Sequence, residues 1–279
     1  MTIKLIAIDI DGTLINDQRE ITPATKATLA KATASGIKVV LCTGRPMTGV
    51  AAYLDELNLN GQADQYVISF NGGLAQSTDE NPIIEATIAF DDYLDLQNFY
   101  RKNGVKCIIE TSDFIYTANQ DISPYTVHES DLVSMPIHYR TIDQQITLQD
   151  QMEIGKVMLT DEPAKIDAIL PKIPADLKTR FTFVRSEEFY LEAVNPKAGK
   201  GNTLKALAEH LGFTMDEVMA IGNAQNDESM IKVAGVGVAM GNSVPSTLAC
   251  ADITVADNNH DGVAEATEKA MAGNFLVNK

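Results

Sequence analysis

The stretch Lys4-Leu5-Ile6-Ala7-Ile8-Asp9-Ile10-Asp11-Gly12-Thr13-Leu14 decides how the rest of the chain is read. A β-branched apolar run of strand length ends abruptly in two carboxylates one residue apart, followed by glycine. In extended backbone, residues i and i+2 point to one side, so Asp9 and Asp11 are expected to crowd each other. Two such carboxylates need a cation or a shared proton to coexist. Gly12 allows a sharp turn whose exposed N–H groups form a small anion nest. Carboxylates, a cation and anion-seeking amides at one strand tip point to phosphoryl chemistry. A calcium loop of the EF-hand kind is excluded: Glu20 falls at its last ligand position, but Leu14 stands where glycine is required and a strand enters the loop.

Working outward, 279 residues are enough for one large domain or two modest ones, and 45% hydrophobic content supports a sizeable core. A net charge of −16 argues against nucleic acid or an anionic membrane as partner and makes an anionic substrate depend on a metal or a few local cations. Cys42, Cys107 and Cys250 are odd in number and lack metal-ligand spacing, so a reducing cytoplasmic setting is expected. Met1-Thr2-Ile3-Lys4 leads straight into the first strand without a signal-peptide cleavage region, and no apolar run reaches the roughly 18 residues of a membrane span.

Residues 12–21 read as a loop or small flap. Thr22-Pro23 then caps a helix to about Ser35, Ile37–Cys42 is a second strand ending at Thr43-Gly44-Arg45-Pro46, and a helix follows to about Asn60. A third strand, Gln65–Phe70, ends at Asn71-Gly72-Gly73. This rhythm predicts an α/β fold with a doubly wound parallel sheet. From about Pro82 the texture changes. Ile83–Phe90, Val105–Glu110, Phe114–Ala118 and Met152–Leu159 read as strands, Asp91–Asn103 and Glu162–Ile173 as helices, and residues 121–149 show no placeable elements. An α+β module packed on one side of its own sheet is expected there. The α/β rhythm resumes near Tyr190: helix Gly201–Leu211, strand Val218–Ile221, a helix to about Ala234, strand Val236–Met240, a helix near Pro245–Ala251, strand Ile253–Val255 and a last helix from Asp261. The expected organisation is a core of residues 1–82 and 190–279 interrupted by an inserted module, 83–189.

Ligands of open α/β sheets sit at the carboxyl ends of the strands. Four polar clusters recur there: Asp9/Asp11, Thr43-Gly44-Arg45, Lys197/Lys200, and Asn223/Asn226/Asp227. Together they offer a nucleophilic carboxylate, a second carboxylate for proton transfer, a hydroxyl, ammonium groups and oxygen ligands, the inventory of magnesium-assisted phosphoryl transfer.

The same residues resemble a known family. The chain is similar to haloacid dehalogenase superfamily phosphatases of the Cof type, with a C2B-like cap inserted between the second and third motifs. Asp9–Leu14 matches the first motif and Thr43–Pro46 the second. Asn195–Gly201 resembles the lysine motif, Gly222–Asp227 with Met230 the fourth, and Val238–Asn242 the stretch after it. The resemblance implies a Rossmann-like core and hydrolysis of small phosphomonoesters, such as sugar phosphates, through an aspartyl-phosphate. It implies Asp9 as nucleophile, Asp11 as acid and base, and Thr43 and Lys200 as further catalytic groups. Ile10, Gly44, Arg45, Asn71 and Asn226 are assigned to phosphate or substrate, and Asp9, Asp11, Asn223 and Asp227 to Mg²⁺. One position departs from the family pattern: Asn223 stands where a metal-binding Asp is usual, which removes one negative charge. A phosphomutase, or a phosphate-ligand binder of weak activity, remains as an alternative.

Other features carry no chemistry. Gly235-Val236-Gly237 lacks the third glycine of a dinucleotide fingerprint, Met240 standing there, and Gly199-Lys200-Gly201 lacks Walker-loop spacing. His128, His138, His210 and His260 have no ligand spacing. Arg45 fits a structural ion pair and a substrate contact equally well.

Overall fold

A computed structural model describes residues 2–273. They divide into two compact units, one comprising the residues up to Gly44, Ala51–Glu85 and those from Gly199 onward, the other Arg45–Val50 and Ala86–Ala198.

The first unit opens with β1 (Leu5–Ile8), α1 (Pro23–Ala34), β2 (Lys38–Cys42), α2 (Ala51–Glu56), β3 (Tyr66–Ser69), β4 (Leu74–Ser77) and β5 (Pro82–Glu85). As expected, Thr22 caps α1, its hydroxyl accepting from the Thr25 amide at 3.2 Å. The second unit runs α3 (Phe90–Lys102), β6 (Cys107–Glu110), β7 (Ile115–Thr117), α4 (Pro124–Val133), β8 (Ile137–Tyr139), α5 (Ile142–Leu148), β9 (Lys156–Thr160), α6 (Pro163–Ile169), α7 (Ala175–Arg180), β10 (Thr182–Glu187) and β11 (Tyr190–Val194). The first unit then closes with α8 (Lys200–His210), β12 (Val218–Gly222), α9 (Glu228–Val233), β13 (Val236–Ala239), α10 (Pro245–Cys250), β14 (Ile253–Thr254) and α11 (Gly262–Ala272).

The first sheet has the order β14-β13-β12-β1-β2-β3-β4-β5, parallel as far as β3 and antiparallel beyond it. The reversal after β3 occurs where Phe70, Asn71 and Gly72 all take positive φ. Alternate strand residues serve opposite faces. Leu5, Ala7, Val40 and Cys42 pack with Leu204, Leu207 and Met230 of α8 and α9, while Ile6, Ile8, Val39 and Leu41, equally buried, lie toward α1 and α11. The fold is the doubly wound α/β arrangement read from the sequence. Register places Ile8 level with both Leu41 and Ile221, so the tips of β1, β2 and β12 come out side by side.

The second unit is built on the sheet β10-β11-β9-β6-β7-β8, antiparallel except between β7 and β8. Tyr93, Leu96, Ile166 and Leu177 of α3, α6 and α7 cover the face bearing Cys107, Ile109, Val157 and Leu191. Val133 of α4 packs on the opposite face, with Ile108, Met158 and Tyr190. This corrects the expectation of two helices on one side: five helices lie here, and α4 takes the other face. The sequence hides α4 because its buried positions include Thr126 and Glu129, which break any apolar period. Ile83–Phe90 is likewise not one strand. Pro82–Glu85 pairs with β4, Ile88 bridges to Ile154, and Phe90 already begins α3, where Asp91 and Asp92 suit a helix N-terminus. Tyr190–Val194 pairs with β9 and β10 rather than resuming the first sheet.

Candidate active site

β1 stops at Ile8, and Asp9 follows in extended backbone with its amide donating to the Ile221 carbonyl at 3.0 Å. The chain then tightens into a single turn. The amides of Leu14 and Ile15 return to the carbonyls of Asp9 and Ile10, each at 3.2 Å, and Gly12 adopts φ +71°. A Cβ at Gly12 would stand 2.5 Å from Asn223 Nδ2, so the turn and its neighbour both demand glycine. Asp11 leaves the strand path within this turn and is exposed, whereas Asp9 is buried. The two carboxylates still act on each other, Asp11 adding to the forces that disfavour charge on Asp9.

Lys200, the first residue of α8, reaches under this turn with a wholly buried side chain. Its Nζ donates to Asp9 Oδ1 and to Asp227 Oδ1, both at 2.6 Å. Asp227 Oδ2 accepts from the Asn223 and Ala224 amides at 2.9 and 3.0 Å, closing the loop after β12 around the carboxylate. Gly222 is required there, because its Cβ would lie 2.4 Å from that of Asp227. Two carboxylates against one ammonium leave a net charge of −1 in a buried space. Burial, then the charge on Asp227, push Asp9 up to about 7 despite the opposing pull of Lys200. Burial opposes charge on Lys200 as well, but Asp227 and Asp9 outweigh it and raise its pKa. Cys42, close by, is held as a thiol: burial pushes it up to about 12.

β2 contributes buried Thr43, whose amide donates to Ile68 and whose carbonyl accepts from Asn71, both at 2.9 Å. Asn71 Nδ2 would lie 3.0 Å from a Cβ on Gly44, and Asn71 Oδ1 accepts from Asn226 Nδ2 at 3.0 Å. The first unit therefore brings Asp9, Asp11, Thr43, Gly44, Asn71, Lys200, Asn223, Asn226 and Asp227 to adjoining strand ends. The Ile10 side chain is buried, leaving its backbone to the turn. Arg45 goes with the second unit, where its guanidinium donates to the Gly49 and Leu132 carbonyls, both at 3.3 Å. Lys197 also lies in the second unit.

Two residues whose part in the site the sequence did not reveal are Thr13 and Asn242. Thr13 Oγ1 donates to Asn223 Oδ1 at 3.1 Å, and Asn242 Nδ2 donates to the Gly12 carbonyl at 2.9 Å. They clamp the turn after β1 to the loops after β12 and β13. Both sit inside motif-like stretches, but neither carries charge, so nothing in residue type singles them out. Among the described residues no three His, Cys, Asp or Glu side chains converge in a way that would hold a metal; the oxygen donors gathered here include the amide of Asn223.

A family model described as haloacid dehalogenase-like hydrolase matches residues 6–266. The chain is a haloacid dehalogenase-like hydrolase. Within this superfamily it is a phosphatase. It is 43% identical to YxeH of Bacillus subtilis (strain 168) over 269 residues, covering 96% of this chain and 98% of that protein. It is 30% identical to phosphatase YwpJ of the same organism over 287 residues, covering 94% and 97%. Its fold matches the crystal structure of a haloacid dehalogenase-like hydrolase from Bacteroides thetaiotaomicron with TM-score 0.87 and 32% identity, covering 96% of this chain and 99% of that one. Among the described residues of this hydrolase, no helix is long and apolar enough to cross a membrane.

Proposed function

We propose that this phosphatase hydrolyses small phosphomonoesters, sugar phosphates or related metabolites, with Mg²⁺ and through an aspartyl-phosphate on Asp9. The observation that carries the reading is the grip of Lys200 on Asp9 Oδ1 at 2.6 Å, with the same ammonium tied to Asp227 at 2.6 Å, which fixes the buried Asp9 carboxylate at the tips of β1, β2 and β12. A carboxylate held in one position by an ammonium is fit to attack phosphorus with its other oxygen. In the first step Asp9 Oδ2 bonds to phosphorus while the ester P–O bond breaks, and Asp11 gives its proton to the leaving oxygen. In the second, Asp11 takes a proton from water, which attacks phosphorus and frees Asp9 and orthophosphate. The Thr43 hydroxyl and Gly44 amide hold phosphoryl oxygens, the Asn71–Asn226 pair orients that side, and Lys200 offsets charge on Asp9 and the phosphoryl group.

The donor chemistry fits Mg²⁺: oxygen atoms only, around a buried excess of one negative charge. Asp9, the Asp11 carbonyl and Asn223 would hold the ion, and Asp227 would support it by fixing the backbone of residues 223 and 224. When bound, the ion supplies Lewis-acid neutralisation of charge on the phosphoryl oxygens. The protein's charge of −16 disfavours polyanionic substrates, which is why small monoesters are proposed. The test is orthophosphate release across a panel of phosphorylated metabolites and an aryl phosphate, with Mg²⁺ or with chelator. Mg²⁺-dependent release from sugar phosphates is expected. Release unaffected by chelator would overturn the metal reading, and preference for diesters or nucleic acid would overturn the substrate reading. Asn223 favours a second reading, a phosphate-ligand binder, which predicts binding of orthophosphate without turnover of any ester.

A further inference from the structure

A second buried ammonium lies in the second unit, among residues to which no catalytic part is assigned. Lys156 of β9 has its Nζ 3.3 Å from Glu110 Oε2, 3.4 Å from Glu129 Oε1 and 3.8 Å from Glu192 Oε1. Glu110 comes from β6, directly opposite Lys156 in the ladder, Glu192 from β11, and Glu129 from α4. All four side chains are 5% exposed or less. Tyr190 of β11 also faces them: its hydroxyl lies within hydrogen-bond reach of Glu129 and donates to the Tyr125 carbonyl at 2.9 Å.

Three ionised carboxylates around one ammonium crowd negative charge into a space closed to water, an arrangement that burial penalises steeply. The hydrogen-bond count points the same way. Neither Oε1 nor Oε2 of Glu110 has a hydrogen-bond partner, although both are buried. A carboxylate with two starved acceptors is the costly form, whereas a carboxylic acid can donate to its neighbour. Glu129 is that neighbour, and Lys156, its pKa raised by the surrounding glutamates despite burial, stays charged.

We infer that a proton shared between Glu110 and Glu129 fastens α4 to the sheet of the second unit, and that alkaline pH releases it. Burial, with Glu129 and Glu192 outweighing Lys156, holds the Glu110 carboxyl well above the ordinary glutamate range. A carboxyl whose folded pKa is raised stabilises the fold below its unfolded pKa, and that stabilisation is lost as pH climbs toward the folded pKa. The helix end that loosens is the one that holds Arg45–Val50: Leu132 accepts from Arg45 at 3.3 Å, and Val133 accepts from Thr48 at 3.0 Å. Those residues directly follow Thr43-Gly44 in the chain, so the proton gives the second unit a pH-dependent hold on the segment next to a phosphate-binding motif. This inference stands whether or not the substrate reading does.

Hydrogen exchange of the intact protein tests it. Peptides covering Pro124–Val133 and Arg45–Val50 should, after correction for intrinsic rates, lose protection together, by about tenfold per pH unit above the ordinary glutamate range, levelling off once Glu110 has ionised in the folded protein. Glu110→Gln, which keeps a neutral group there, should hold its protection between about pH 6 and about pH 9. Identical pH dependence in both proteins would overturn the inference. Should Glu110→Gln fail to fold, carboxyl-carbon NMR of glutamate-labelled wild type still decides. One glutamate titrating above the exposed ones supports the shared proton, and uniform titration in the ordinary range refutes it.

Discussion

Lys200 and Lys156 are both buried ammonium groups among carboxylates, yet the two sites are built to opposite ends. Lys200 meets two carboxylates at 2.6 Å, and the second oxygen of Asp227 has two backbone donors besides. Lys156 meets three at 3.3 to 3.8 Å, and Glu110 lacks any hydrogen bond. In a low-dielectric interior the number and closeness of donors set how firmly a carboxylate is held. The first site is closely tied, which suits the attack on phosphorus proposed for Asp9. The second is short of donors, which suits titration.

The largest effect expected is at Asp9. Asp9→Asn should lower phosphate release by about 10⁴-fold or more. It should leave the thermal midpoint unchanged or raised, because it also removes the repulsion from Asp227; release assays and melting curves check both. Next comes loss of the ammonium groups. Lys200→Met should destabilise by about 3–5 kcal/mol, since two carboxylates are left facing each other, and adding Asp9→Asn should recover much of that in denaturant titrations. Lys156→Met should cost less at about pH 6 than at about pH 8, because Glu110, its carboxyl held above the ordinary range by burial, can take up a proton. Equal losses at both pH values would erase the distinction drawn between the sites. A smaller effect is expected at Asn223: Asn223→Asp should lower the Mg²⁺ concentration for half-maximal release by about tenfold, through one added anionic ligand. The smallest concerns thiols. Burial pushes Cys42 and Cys107 each up to about 12, so alkylation of the native protein should reach the half-buried Cys250 first.

The contrast also marks what the sequence made legible. The first unit could be read because its strands are apolar on both faces and end in polar motifs, as Leu5–Ile8 before Asp9 and Val218–Gly222 before Asn223 do. Those same motifs led to the residues now seen together around Lys200. Thr13 and Asn242 escaped notice because a neutral clamp leaves no signature until two distant loops are seen to touch. The second unit was harder for the same reason that it is interesting. Buried Glu110, Glu129, Lys156 and Glu192 occupy positions where pattern reading expects apolar side chains, so α4 vanished into a polar stretch. Burial of charge is a property of the assembled sheet and helix and has no local periodicity.

The central claim is that Asp9 takes up the phosphoryl group while Lys200 steadies it. Acid-quenched protein, caught during turnover of an aryl phosphate with Mg²⁺ and digested for mass spectrometry, tests this most directly. One phosphoryl group on the peptide containing Asp9, absent from Asp9→Asn, is the predicted result. Full turnover by Asp9→Asn, or phosphorylation at any other residue, would contradict it.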